Sequence, residues 1–116
     1  MTVLNDTRST CLAGHAEIAG TPGARLRGLI GKPESWAQAG AGLWIMPCSA
    51  IHTFGMAFPI DVLFLDQANR VLQIATLFPD DRSEYPGAAS VLELPPGMIA
   101  ATYTQIGDQL RMVGAA

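Results

Sequence analysis

Charged residues are scarce in this chain, at 15% of 116 positions against 49% hydrophobic. Basic ones are fewest, seven against ten acidic, for a net charge of −3. Nothing basic clusters beyond Arg25, Arg27 and Lys32, and binding a phosphate backbone needs a basic patch, so nucleic acid is not an expected partner. No apolar run approaches the roughly 20 residues of a spanning helix. The N-terminus also lacks a charged start followed by an apolar stretch, so no membrane contact is expected and the chain reads as cytoplasmic. Cys11 and Cys48 are the only cysteines. Two are too few for a disulfide framework, and free, mostly buried thiols are expected. Internal repeats, linkers and low-complexity segments are absent as well. The length is that of one domain over residues 1–116, with room for one core. So little charge means either a surface rich in small residues or an apolar face covered by a partner, a homodimer among them.

The first 19 residues hold short apolar segments separated by Asn5-Asp6, Gly14 and Gly20, which predicts two short strands with His15 in the turn between them. Thr21 can cap a helix, Pro22 suits its first position, and Gly31 followed by Pro33 would stop it. Leu26, Leu29 and Ile30 then form one apolar stripe, with Arg25 and Arg27 away from it or along its rim. Gly28 costs about 1 kcal/mol relative to Ala inside a helix, which suggests a close backbone approach there. Residues 32–42 read as a loop in which Trp36 plugs the core. Strands are predicted at 43–46, 60–66, 70–78, 91–94 and 109–113, with a helical turn or more between Met98 and Thr104. Ile60 to Asp66 is apolar on both faces except at its ends, as in an interior strand. The fold class is therefore mainly β, a β-rich α+β domain: a compact barrel or sandwich of short strands with one early amphipathic helix packed on it.

Polar groups inside the apolar stretch 51–66 need partners, because an unpaired buried charge costs several kcal/mol. If 51–54 and 59–65 form a hairpin centred on Met56-Ala57, His52 faces Asp61, and opposed side chains lie within about 5.5 Å at Cβ. The carboxylate would orient the imidazole and favour its protonated form. Such a pair is a general base, a ligand anchor or a structural clamp. Cys48 adds a residue of nucleophile type beside that base and acid. Cys48 and His52, at i and i+4, share a strand face that Asp61 could join. Zinc usually needs three or four protein ligands, however, and no second Cys or His has useful spacing, so no metal and no cofactor are expected. Thr53 suits a cross-strand or turn hydrogen bond. Arg25 and Arg27 form either a solvated helix face or an anion site. Asp80, Asp81 and Arg82 read as a solvated loop. Glu93 stands alone on an apolar strand, which suggests a buried structural pairing with Arg27 or Arg82; Asp66 is a further structural position.

Thr21-Pro22, Arg25, Arg27-Gly28-Leu29-Ile30, His52-Thr53, Pro59-Ile60-Asp61, Phe64-Leu65-Asp66, Val91-Leu92-Glu93-Leu94, Gly97 and Gly107-Asp108 follow one another in that order. The order and spacing resemble the domain of unknown function 192, a family of uncharacterised bacterial proteins, from about Ala16 to Met112. Two positions depart from its pattern. Ile30 stands where Met is usual, and Ala57 follows Met56 where Arg or Lys is common in the similar branch. Any site that used that basic group is missing here. The resemblance implies a compact β-rich domain and no particular activity.

Three functions are compatible with these residues. The leading expectation is a binding module for a small polar molecule or a protein partner, with its site at His52, Thr53, Met56 and Asp61 and with Arg25 or Arg27 contributing. The second is an enzyme using His52 with Asp61, with or without Cys48, in proton transfer or acyl-type chemistry. The third is a purely structural interaction protein.

Overall fold

A computed structural model describes residues 1–114. The early helix starts where its capping residues place it: the Thr21 hydroxyl accepts the Ala24 amide at 3.1 Å, and Pro22 opens α1 (Pro22–Arg27). It stops sooner than predicted. Gly28 takes φ +49°, a conformation strained for any residue with a Cβ, and ends the helix after six residues. Of the predicted stripe only Leu29 turns inward, while Leu26 is 78% exposed and Ile30 39%.

Among the described residues there are ten strands: β1 (Thr2–Asn5), β2 (Thr10–Ala13), β3 (His15–Ala19), β4 (Ala41–Ile45), β5 (Ala50–His52), β6 (Ile60–Leu65), β7 (Val71–Leu77), β8 (Arg82–Glu84), β9 (Ser90–Leu94) and β10 (Leu110–Val113). The short helix α2 (Met98–Ala101) lies between the last two. Three strands, not two, precede α1. Gly14 separates β2, which pairs with β1, from β3, which pairs with β4, so His15 opens a strand rather than filling a hairpin turn.

One five-stranded sheet, in the order β3-β4-β9-β6-β7, organises the molecule. Its β3–β4 pair is parallel and the rest antiparallel. β9 and β6 lie inside it, and every residue of both is buried, as their mostly apolar sequences predict. Because side chains alternate across a sheet, the two strands divide their residues between two cores. Val62, Phe64 and Val91 join Leu29, Ile45, Met56 and Phe58 on one face. Leu63, Leu65, Leu92 and Leu94 join Val3, Leu12 and Leu110 of a three-stranded β10-β1-β2 sheet on the other. Gly42 belongs to that second interface, where a Cβ would lie only 3.1 Å from that of Ala13.

The architecture is thus β-rich and layered. β3 and β7 remain separate edges, so the sheet does not close into a barrel. Trp36 lies against the first core, stacked on Phe58 with ring centroids 5.8 Å apart. Both cysteines are free, but neither is fully buried: Cys48 is half-buried, and Cys11 is exposed because it alternates with the inward-facing Leu12 on β2. Among the described residues no helix is long and apolar enough to cross a membrane.

Candidate functional site

The expected His52–Asp61 pair does not form. β5 pairs with β8, so His52 faces Arg82, whereas Asp61 in β6 faces Thr76 and Leu94. Thr53 diverts the chain. Its hydroxyl donates to the Phe78 carbonyl at 2.6 Å and accepts the Asp81 amide at 2.8 Å, and its own amide donates to the Asp81 carbonyl at 2.8 Å. With those bonds made, the segment after β5 is tied to residues 78–81 and cannot fold back on β6 as a tight hairpin. Thr53 is wholly buried and Met56 is a core residue, so neither offers a surface to a ligand.

Asp61 is fully employed. One carboxylate oxygen accepts the Gly97 and Ile99 amides at 3.1 and 2.9 Å, and the other accepts the Thr76 hydroxyl at 3.0 Å. It thereby ties the start of α2 to β6 by meeting amides that a helix leaves unpaired at its first turn. Asp66 has a similar local duty, accepting the Ala68 and Arg70 amides and closing the β6–β7 turn.

The remaining candidates do converge, around a residue that sequence reasoning had given a different task. Glu93 sits on β9 between Leu43 and Val62 and shares their face of the sheet. Above it lies a cleft of about 170 Å³, walled by α1 and the turn after it on one side and by residues 48–52 on the other. Arg25, Arg27, Cys48 and His52 all line it. Cys48 precedes β5 and so shares no strand face with His52, but both line the cleft, where the acidic residue is Glu93 rather than Asp61. Gly28 lies beside it: a Cβ built there would meet the Glu93 carboxyl oxygen at 3.7 Å, an ordinary contact, so the positive φ rather than crowding calls for glycine here.

Glu93 is 4% exposed, yet among the described residues its carboxyl has no hydrogen-bond partner and no ion pair. Neither Arg27 nor Arg82 reaches it, which overturns the expected structural pairing. Arg82 lies on the exposed strand β8, and Arg27 points from an exposed position on α1. Among the described residues no fully enclosed side-chain oxygen or nitrogen lacks a partner. The unbonded Glu93 oxygens must therefore reach the cleft. Burial pushes this carboxyl up to about 7, with no nearby guanidinium strong enough to bring it down. Near neutral pH it is a poised proton donor and acceptor as well as an unmet hydrogen-bonding group.

The other cleft groups are tempered by their surroundings. Burial raises the Cys48 thiol above its ordinary value; the Ala50 backbone opposes this, Glu93 adds to it, and Arg25 reduces it. A raised thiol is less thiolate, hence a poorer nucleophile. His52 accepts the Phe54 amide on Nδ1 at 3.2 Å and stacks on the Phe54 ring. Its Nε2 makes no hydrogen bond among the described residues. Arg25 donates to the Gly20 carbonyl at 3.0 Å, and its remaining N–H groups have no hydrogen bond among the described residues. No cluster of three or more His, Cys, Asp or Glu suited to a metal occurs among the described residues.

The chain belongs to the domain of unknown function 192 family, described as an uncharacterized ACR, whose pattern matches residues 3–112. It is similar to a UPF0127 protein of the archaeon Thermococcus sibiricus, with 32% identity over 93% of this chain and 72% of that one. The family therefore reaches into archaea, and a bacterial origin does not follow from membership. Two solved structures share the fold. A protein of unknown function from Novosphingobium aromaticivorans superposes with a TM-score of 0.78 at 21% identity, covering 96% of this chain and 82% of that one. A Sinorhizobium meliloti protein, provisionally named as a transcription regulator, gives 0.77 at 20% identity over 95% and 89%.

Proposed function

We propose that this chain is a small binding protein whose cleft between α1 and residues 48–52 takes a small polar ligand, with Glu93 as the anchoring group on the floor and Arg25 and Arg27 at the rim. The observation that carries this reading is a buried carboxyl with no protein partner that opens onto a cavity. Buried polar groups are almost always hydrogen-bonded, and an exception invites a ligand. Around Glu93 the walls are apolar, from Leu29, Ile45 and Ile51, so a ligand there would be held by few polar contacts in a low-dielectric setting.

A thermal-shift screen of the purified protein against small metabolites and anions tests this. A ligand at a hundred times its dissociation constant adds about 2.7 kcal/mol, and each kcal/mol moves the midpoint of a domain this size by about 4–8 °C. The expected result is a shift that disappears in Glu93→Gln. A shift that survives Glu93→Gln would place binding elsewhere.

Acid–base catalysis at the same carboxyl is the second reading, favoured by its value of about 7. Such an enzyme would use Glu93, with His52 and Cys48 beside it, rather than a His52–Asp61 dyad.

A further inference from the structure

Charges of opposite sign line the same small cleft without pairing. Among the described residues Arg25, Arg27 and Glu93 form no ion pair, and Arg27 makes no side-chain hydrogen bond. A ligand that carries both signs fits this lining. A simple cation would meet two guanidiniums and a simple anion would meet the Glu93 carboxylate, whereas a molecule carrying both charges suits both groups. The volume of about 170 Å³ and the walls of Leu29, Ile45 and Ile51 leave room for a short molecule with little or no side chain.

We infer that the cleft binds a small zwitterion of the α-amino-acid type, its ammonium group on the Glu93 carboxylate and its carboxylate on the Arg25 and Arg27 guanidiniums. This rests on the reading of the cleft as a binding site and assigns that site its ligand class. Guanidiniums suit the carboxylate end because they present paired N–H groups in a planar fork. Glu93 suits the ammonium end because a carboxylate accepts from several N–H groups at once, and its oxygens have no competing donor.

The test is an amide-resolved NMR titration of the whole chain at about pH 8, where Glu93 is ionised. Glycine and L-alanine are compared with propylamine, which has only the ammonium, and propionate, which has only the carboxylate. Both zwitterions should shift the amides of Arg27, Gly28, Cys48 and His52 and bind about tenfold or more tighter than either one-charge analogue. Glu93→Gln and Arg27→Ala should each weaken binding by about tenfold. Arg27 is exposed, so its substitution reports on binding without threatening the fold. Equal binding of propylamine or propionate would overturn the assignment, as would unchanged affinity in Glu93→Gln. If the amino acids do nothing while another small polar compound shifts the same amides, the ligand class is wrong and the binding cleft stands. If no compound shifts them, both fail.

Discussion

Asp61 and Glu93 lie on adjacent strands of one sheet, one residue apart in register and almost equally buried, at 3% and 4% exposure. They face opposite sides. Asp61 looks towards α2 and receives three hydrogen bonds; Glu93 looks towards α1 and receives none among the described residues. Burial alone therefore says little about what an acidic residue does. A carboxylate whose oxygens are met by backbone amides is part of the fold. One that keeps the cost of burial without a partner is a candidate for meeting something from outside.

The sharpest way to break this comparison is to remove each side chain. Asp61→Ala leaves the Gly97 and Ile99 amides and the Thr76 hydroxyl without their shared acceptor, and should cost about 3–5 kcal/mol in urea unfolding. A loss below about 1 kcal/mol would show that Asp61 does not hold α2 in place.

Glu93→Gln should do the reverse and show it through pH. The folded-state pKa of Glu93 lies above its unfolded value, so its neutral form contributes in full below about 4.5 and that contribution is lost as pH rises to about 7. Across that window the wild type should lose about 3 kcal/mol relative to Glu93→Gln, with no further change above it. Parallel stability curves for the two proteins would mean that Glu93 is not buried as an unpaired acid.

Asp108 supplies the opposite control, with the smallest effect. It is 2% exposed. Burial would raise its pKa, but two hydrogen bonds from the Arg8 guanidinium, one from Asn5 and one from the Gln105 amide outweigh that and hold it below the ordinary carboxylate value. Its stabilisation is complete above the unfolded pKa and lost as pH falls through the folded one. Arg8→Ala should therefore cost about 1–2 kcal/mol near neutral pH. The gap to wild type should close in acid, the reverse of the Glu93 trend. A gap that stays constant with pH would remove the ion pair as its cause.

Much of this could be read from residues in order. The start of α1, the interior strand at 60–65, β7, β9, the α2 turn and β10 followed from capping residues, apolar runs and turn formers. Arg25, Arg27, Cys48 and His52, candidates by residue type, all line one cleft. The pairing of His52 with Asp61 failed because a hairpin was assumed where Thr53 ties the chain to residues 78–81 instead. Glu93 was noticed as the one acid in an apolar strand, and that was the available signal. Charge suggests an arginine partner for it, and charge does not say which face of a sheet a side chain occupies.

Thr21-Pro22 sets a helix start, alternation sets a strand, and an ordered string of short motifs sets the family, because each depends on neighbours a few residues apart. Those properties belong to the chain by itself. Which strands pair, where α1 ends against the sheet and which carboxyl is left without a partner depend on contacts between residues far apart in sequence. A one-residue change of register would send Glu93 to the other core and close the cleft's floor. Only the tertiary structure could decide that.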